Sequence, residues 1–416
     1  MEFVKKYLTE IVLILGIFVV FGVTAIFNDA YTERFFDNVT TLILRPAAIL
    51  GIFALGAAVV IIAGGIDLSS GSMIALSASL VCITTMVFCK LLQPDADDPT
   101  GVVPVWVVCI AALITIGVAI LVGSLHAWLI TVVQLPPFVA TLASLVGLRS
   151  LSIVMNKAVS KQFGAEAVIV NIQDSRYLLT NAPWWLPLAI FLTLALILWL
   201  ILNFTVMGRH IYAMGGNETA ARLSGIRTDR LKWFAYCFAA VTASIAGMLL
   251  ASSVLLADPQ SQGTGGELFA IAAAVIGGCS LSGGVGRVSG VVLGALFLRV
   301  VIDAVAKLIT SGNSANYEGM IVGLLVVLAV ALNEVTGSSA GWRKQFFPGA
   351  LGVVALISIG LLFGSVIAFS LTLSDQVANS WLIGIIVALV TSSVLSLIKL
   401  LAWQLGKTKS HALSKL

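Results

Sequence analysis

The sequence is a succession of apolar runs, each long enough to cross a lipid bilayer as a helix. A helical span needs roughly 20 apolar residues. The first run, IVLILGIFVVFGVTAIF, starts at Ile11, and others recur along the whole chain. Hydrophobic residues make up 59% of the 416 positions and charged residues 10%, against about 25% charged in a soluble domain. A water-soluble core cannot absorb that much apolar surface, so the surplus faces lipid. The runs are continuous rather than alternating, which points to helices and away from a barrel. The fold class is all-α, a polytopic helical membrane protein. Twelve spans are expected, near 8–28, 42–63, 66–89, 104–133, 135–148, 184–204, 231–257, 264–283, 287–309, 317–333, 346–370 and 380–404.

The basic start and apolar run of the N-terminus resemble a signal peptide, but no small-x-small cleavage site follows, so the segment reads as a retained first span. The net charge of +4 reports orientation rather than a nucleic-acid partner. Arg209, Arg222, Arg227, Arg230 and Lys232 share one side with Lys5, Lys6, Arg343, Lys344 and the tail lysines Lys407, Lys409 and Lys415. Lys and Arg concentrate on the cytoplasmic side, which places both termini there. An outer segment over 149–182 carries Arg149, Lys157, Lys161 and Arg176 against that trend. The five cysteines lie in apolar runs without pairing or metal spacing, and the three histidines form no ligand set, so no metal site is expected.

One internal echo links GGIDLSSG (64–71) with GGCSLSGG (277–284), which match at five of eight positions. In the twelve-span count both point the same way. A parallel repeat, a re-entrant segment and a plain tight turn between spans each account for that.

The segment GRHIYAMGGNETAARLSGI (208–226) is too polar to span. Asn217 is an expected N-cap, Glu218 falls in a first turn where the helix dipole favours it, and Gly225 suits a helix end. One short polar helix is expected here, either a docking element for a soluble partner or a solvated connector. Ionisable residues also fall inside apolar runs, where charge is costly and faces a bundle interior or a wet cavity. They are Asp67, Glu267 and the i, i+4, i+8 set Arg299, Asp303 and Lys307. Asp67 is expected to accept backbone N–H bonds at the start of the next helix, and Arg299, Asp303 and Lys307 to form a self-paired stripe. Gly406-Lys407-Thr408 is not a nucleotide loop, because the glycine required five residues earlier is Leu401 and a span precedes it. No zinc motif, nucleophile elbow or dinucleotide fingerprint is present, so no catalytic residue is assigned.

Three segments together resemble one family. GGIDLSSGSMIALSA, LPPFVATLASLVGLR and GRHIYAMGGNETAARLSGI, the last followed by GTGGELFAIAAAVIGGCSLSGGVGRVSGVVLGA, look like the permeases of bacterial ABC importers for ribose, xylose, arabinose, galactose and related solutes. The resemblance covers roughly residues 40–333. It implies a permease of about ten spans, paired with a second, identical or different, permease copy in the bacterial inner membrane. A cytoplasmic ATPase would hold ATP and Mg, with no cofactor on this chain, and a periplasmic or lipid-anchored binding protein would deliver a small polar solute. It implies that the segment around 205–231 faces the ATPase, through Gly208, Arg209, Gly215, Gly216, Asn217, Glu218, Ala221, Arg222, Ser224 and Gly225. It implies that Gly64, Gly65, Asp67, Ser69, His126, Glu267, Gly277, Gly278, Ser280, Gly283 and Gly284 shape the passage.

The chain departs from the family pattern in three places. His126-Ala127 and Asp303-Ala304 stand where Asn-Gly is usual, and two further spans and a basic tail extend beyond the family's length, so the chain divides into 1–334 and 335–416. A nucleoside or an autoinducer-like compound is the alternative cargo. The alternative class is an ion-coupled secondary transporter using Asp67, Glu267 or Asp303.

Overall fold

The computed structural model describes residues 7–27, 35–93, 100, 102–162, 168–172 and 184–308 continuously, with isolated positions beyond. The chain divides into two compact units, one of Met1–Leu308 with Ala315–Val330 and one of Ile309–Ser314 with Ala331–Leu416. The helices below belong to the first unit. The spans expected at 317–333, 346–370 and 380–404, and the basic tail, lie outside the described stretches.

In chain order the long helices are α1 (Leu8–Phe27), α2 (Phe35–Ile62, with a π-helical stretch over Asn38–Leu44), α3 (Ser70–Leu92), α4 (Val105–Thr131), α5 (Pro137–Gln162) and α6 (Trp185–Phe204). Two short helices follow, α7 (Val206–Gly216) and α8 (Glu218–Leu223), then α9 (Thr228–Val254), the half-length α10 (Gly266–Ile276) and α11 (Val288–Leu308). The strands β1 (Val170–Asn171) and β2 (Leu256–Ala257) pair antiparallel, Val170 opposite Ala257. Among the described residues eight helices are long and apolar enough to cross a membrane. This is an all-α polytopic membrane protein.

Two expected spans are corrected. The span at 135–148 continues to Gln162, so Arg149 and Lys157 belong to α5 and not to an outer segment. Their charge had masked the helix. The span at 264–283 shortens to the 11 residues of α10, about 16 Å at 1.5 Å per residue. That is half of a roughly 30 Å hydrocarbon core. The chain returns from the far end of α9 through the turns of 258–265 and then through α10, so this crossing is discontinuous.

Helix α9 is the hub. Its Ala239, Ala240, Ala243 and Ala246 are buried, and small residues let its neighbours approach to backbone contact. Gly56 of α2 lies against Ala239 and Thr242, and Gly247 of α9 lies against the Ile74 backbone of α3. On α4, a side-chain carbon at Gly123 would meet Cys237 Cα at 2.6 Å and the Tyr236 carbonyl at 2.8 Å. The outward faces of α1, α4, α5 and α6 expose Phe18, Leu121, Val146 and Leu196, as lipid-facing helices do.

Gly117, two turns earlier on α4, has open space around its Cα. Gly123→Ala is therefore expected to destabilise the protein by about 1–3 kcal/mol through overpacking against backbone. Gly117→Ala should stay within about 0.5 kcal/mol of the parent. Thermal midpoints of the two variants in one detergent check this, and equal midpoints contradict the α4–α9 contact.

Candidate functional site

The polar segment between α6 and α9 folds as two helices rather than the one expected, because Asn217 leaves helical backbone (φ −159°, ψ 100°). Thr205 Oγ1 caps α7 by accepting from the Gly208 N–H at 3.1 Å, and Asn217 Oδ1 caps α8 by accepting from the Ala220 N–H at 2.9 Å. Glu218 in the first turn of α8 pairs with Lys232 Nζ of α9 at 2.7 Å and with Arg222 at 3.2 Å. Arg222 also reaches Asp229 at 3.4 Å and Thr228 Oγ1 at 3.1 Å. Burial pushes the Glu218 carboxyl up, but the Lys232 ammonium and the Arg222 guanidinium outweigh it and hold the pKa below the ordinary value. Ala221 is buried beneath α8, while Leu223 is 85% exposed at its tip. Arg209, Asn217, Arg222, Ser224 and Gly225 are exposed as well. A tethered helix thus presents an exposed apolar residue next to the Arg222 guanidinium.

Behind this surface three backbone segments meet. The Gly284 N–H donates to the Ile62 carbonyl at 2.9 Å, joining the loop before α11 to the end of α2. Gly215, in the last turn of α7, lies directly on that bond, and a side-chain carbon there would collide with the Ile62 carbonyl and with Gly284 N. A Cβ at Gly283 would meet Gly64 Cα at 2.9 Å, and one at Gly284 would meet Gly216 N at 2.7 Å. Tyr212 Oη of α7 donates to the Gly286 carbonyl at 2.9 Å. Burial, with Cys279 adding and Arg287 partly offsetting, raises the Tyr212 pKa, so the phenol stays a donor.

The sequence echo acquires a physical meaning here, displaced by one residue. Gly64 (φ +82°) and Gly278 (φ +89°) hold the same post-helical position. The Gly64 and Gly65 N–H groups donate to Ile61 and Val60, and those of Gly278 and Cys279 donate to Val275 and Ala274. This is the Schellman helix ending, whose left-handed position favours glycine. Gly64 therefore matches Gly278 and not Gly277, which instead packs against Gly290 of α11. Gly225 ends α8 in the same way.

The remaining residues expected to shape the passage gather around the starts of α3 and α10. Asp67 Oδ1 accepts from Ser69 N at 2.8 Å and from Ser69 Oγ at 2.6 Å, so the carboxylate tightens the turn into α3. Ser72 Oγ donates to the Ser144 carbonyl at 3.3 Å, and His126 Nε2 meets Ser144 Oγ at 2.6 Å. Glu267, in the first turn of α10, lies against Gly71 of α3. Gly65 runs beneath the Tyr236 hydroxyl, and the Tyr236 ring meets the His126 ring edge-on at 6.3 Å. The set expected to shape the passage thus separates into a glycine junction and a buried polar cluster. Ser280 joins neither, since its hydroxyl bonds Ser282 in the turn before α11.

Three features escaped sequence reasoning. Arg149 Nη1 donates to the Pro259 carbonyl at 2.7 Å, the Gln262 carbonyl at 3.2 Å and Thr264 Oγ1 at 3.0 Å, clamping the turns that precede α10. Tyr236 carried a signal, because tyrosine gathers at span ends and this one lies inside α9. In the expected Arg299, Asp303 and Lys307 stripe, Lys307 pairs with Asp303 at 2.8 Å, and Arg299 Nε also reaches another helix, donating to the Leu42 carbonyl at 3.2 Å.

Residues 39–330 match the family model described as the branched-chain amino acid transport system / permease component. The chain is 34% identical to the ribose import permease protein RbsC of Bacillus subtilis, covering 77% of this chain and 91% of that one. It is 33% identical to a probable ABC transporter permease protein, y4mJ, of Sinorhizobium fredii (74% and 83% covered) and 29% identical to the fructose import permease protein FrcC of Rhizobium meliloti (72% and 79%). No solved structure matches it. A chain matched by this family model over most of its length, with sugar import permeases as relatives and a bundle of apolar helices interrupted by a capped polar pair, belongs to the family of sugar-type ABC importer permeases.

Proposed function

We propose that this chain is the membrane-spanning subunit of an ATP-driven importer that carries a monosaccharide or similar small polar solute. The observation that carries this reading is the α7–α8 pair, whose exposed tip is joined through Gly215 and Gly216 to both glycine turns of the bundle. A permease of this kind is a transport subunit and not itself an enzyme. ATP and Mg belong to a separate ATPase docked on α7–α8, on the cytoplasmic side. A binding protein delivers the solute to the opposite face, and a second permease copy completes the passage. Closure of the ATPase subunits displaces α7–α8, and the bundle alternates its access. The ribose and fructose named for the relatives make a neutral sugar the leading cargo.

Reversing the charge of Arg222 would disturb both docking and the contacts with Glu218 and Asp229. Leu223→Asp isolates the docking surface, since that side chain is almost wholly exposed. Burying an aspartate in an apolar partner groove costs about 10- to 100-fold in affinity. Leu223→Asp should leave membrane insertion and the thermal midpoint unchanged while uptake and stimulation of the partner ATPase drop at least tenfold. Unchanged uptake and stimulation contradict the docking assignment.

The anchor of α8 sets a pH dependence. The Glu218 pKa is lower in the folded protein than in the unfolded chain, where it is about 4.3. The stabilisation is complete above that value and is lost as pH falls through the lowered one. Amide exchange protection over 218–223 should hold from pH 7 to about pH 5, decline below about pH 4, and show no such step in Glu218→Gln. A step of equal size in both proteins assigns the loss elsewhere.

A further inference from the structure

The polar cluster holds more hydrogen-bonding capacity than the protein uses. His126 Nδ1, Tyr236 Oη, Glu267 Oε2 and Ser70 Oγ are buried without a hydrogen-bond partner. Each unpaired buried polar group costs about 1–3 kcal/mol, and native proteins hold only a few such groups per hundred residues. A helix serine has a ready alternative in its own i−4 carbonyl. His126 and Tyr236, buried to 1% and 2% exposure, have no such outlet on α4 and α9.

These groups are contiguous. His126 meets Ser144, Ser144 meets Ser72 in the first turn of α3, and the adjacent Gly71 packs against Glu267. The Asp67 carboxylate lies within electrostatic range of His126, Tyr236 and Glu267. Groups with unused polar atoms on α3, α4, α9 and α10 are therefore neighbours around the first turn of α3, where the half-helix begins. Discontinuous helices of this kind surround transported solutes in other membrane carriers.

The chemistry of the set selects the occupant. His126 Nε2 and Ser144 Oγ share a hydrogen bond, which leaves Nδ1 one unused function, an acceptor where Nε2–H donates and a donor where the serine hydroxyl does. Glu267 Oε2 is an acceptor, and the Tyr236 hydroxyl both donates and accepts. A neutral molecule with several hydroxyls fits such a set, because each hydroxyl gives one hydrogen and takes another. A bare cation fits less well, since Asp67 Oδ1 is committed to Ser69 and the tyrosine proton would be left without an acceptor.

We propose that His126 and Tyr236, together with Glu267 across the first turn of α3, form a hydroxyl-reading subsite that selects a polyhydroxylated neutral solute during passage. The subsite is occluded in this conformation and takes its ligand when the helices part. This rests on the import reading above and adds to it a selectivity residue, His126.

The test uses the full transporter, with ATPase and binding protein, in proteoliposomes. The probes are D-ribose, D-fructose and their single-deoxy analogues, each at a concentration saturating the binding protein. Tyr236→Phe keeps the ring and removes one hydroxyl. It should slow uptake of the transported sugar about tenfold, the value of one good hydrogen bond. Uptake of one deoxy analogue should be unaltered, so that discrimination at a single hydroxyl collapses. His126→Ala should abolish discrimination at a different hydroxyl. Parent and analogues slowed by one common factor, or no change in either variant, overturn the subsite. Wild-type vesicles that take up neither sugar overturn the import reading, and the subsite falls with it.

Discussion

The hydrogen bond from the Gly284 N–H to the Ile62 carbonyl, with Gly215 pressed against it, is the contact on which the rest of the structure depends. Two bundle segments and the polar helix pair share one point of backbone contact there. Side chains hop between rotamers and absorb small displacements, whereas backbone against backbone has no such slack. Under the proposed function, a push on α8 would reach α7 through the capped turn at Asn217 and arrive at the Gly64 and Gly283–Gly284 turns together. Tyr212 adds a second tie, from α7 to Gly286.

From those turns the two routes lead to the polar cluster. Gly64 opens the stretch that ends in Asp67 and α3, and Gly278 closes α10, whose first turn holds Glu267. The junction and the cluster are thus opposite ends of the same two segments. The far end is held from α5, where Arg149 clamps the turns before α10 and Asn156 Nδ2 donates to the Val168 and Ala257 carbonyls at 2.7 and 3.2 Å. A half-helix fixed by an arginine at its start and by glycine contacts at its end is suited to tilt as a rigid piece.

Most of this architecture is legible in the sequence where hydrophobicity alone decides it. The runs at 8–28, 184–204 and 287–309 appear as helices within a residue or two of expectation. The failures fall where polar residues find partners inside the bundle. Arg149 and Lys157 broke the apolar run of α5, yet Arg149, like Asn156 Nδ2, donates to carbonyls that only the folded chain brings near. The end of α10 was signalled by Gly277-Gly278, but a helix stop and a turn between full spans look alike in one dimension. Asn217 was read correctly as a cap, and the break that it imposes between α7 and α8 was not. The meeting of Gly64, Gly215 and Gly284 was illegible, because glycine spacing does not say which backbone will approach.

The central claim is that force enters the bundle through backbone contact at Gly215. The neighbouring Gly216 has open space for a methyl group, whereas Gly215 has none. Comparing Gly215→Ala and Gly216→Ala in the assembled transporter, with uptake per ATP hydrolysed as the readout, isolates this contact. The account predicts at least tenfold lower uptake per ATP for Gly215→Ala at undiminished ATPase binding, and parental behaviour for Gly216→Ala. Equal uptake per ATP in the two variants would contradict it.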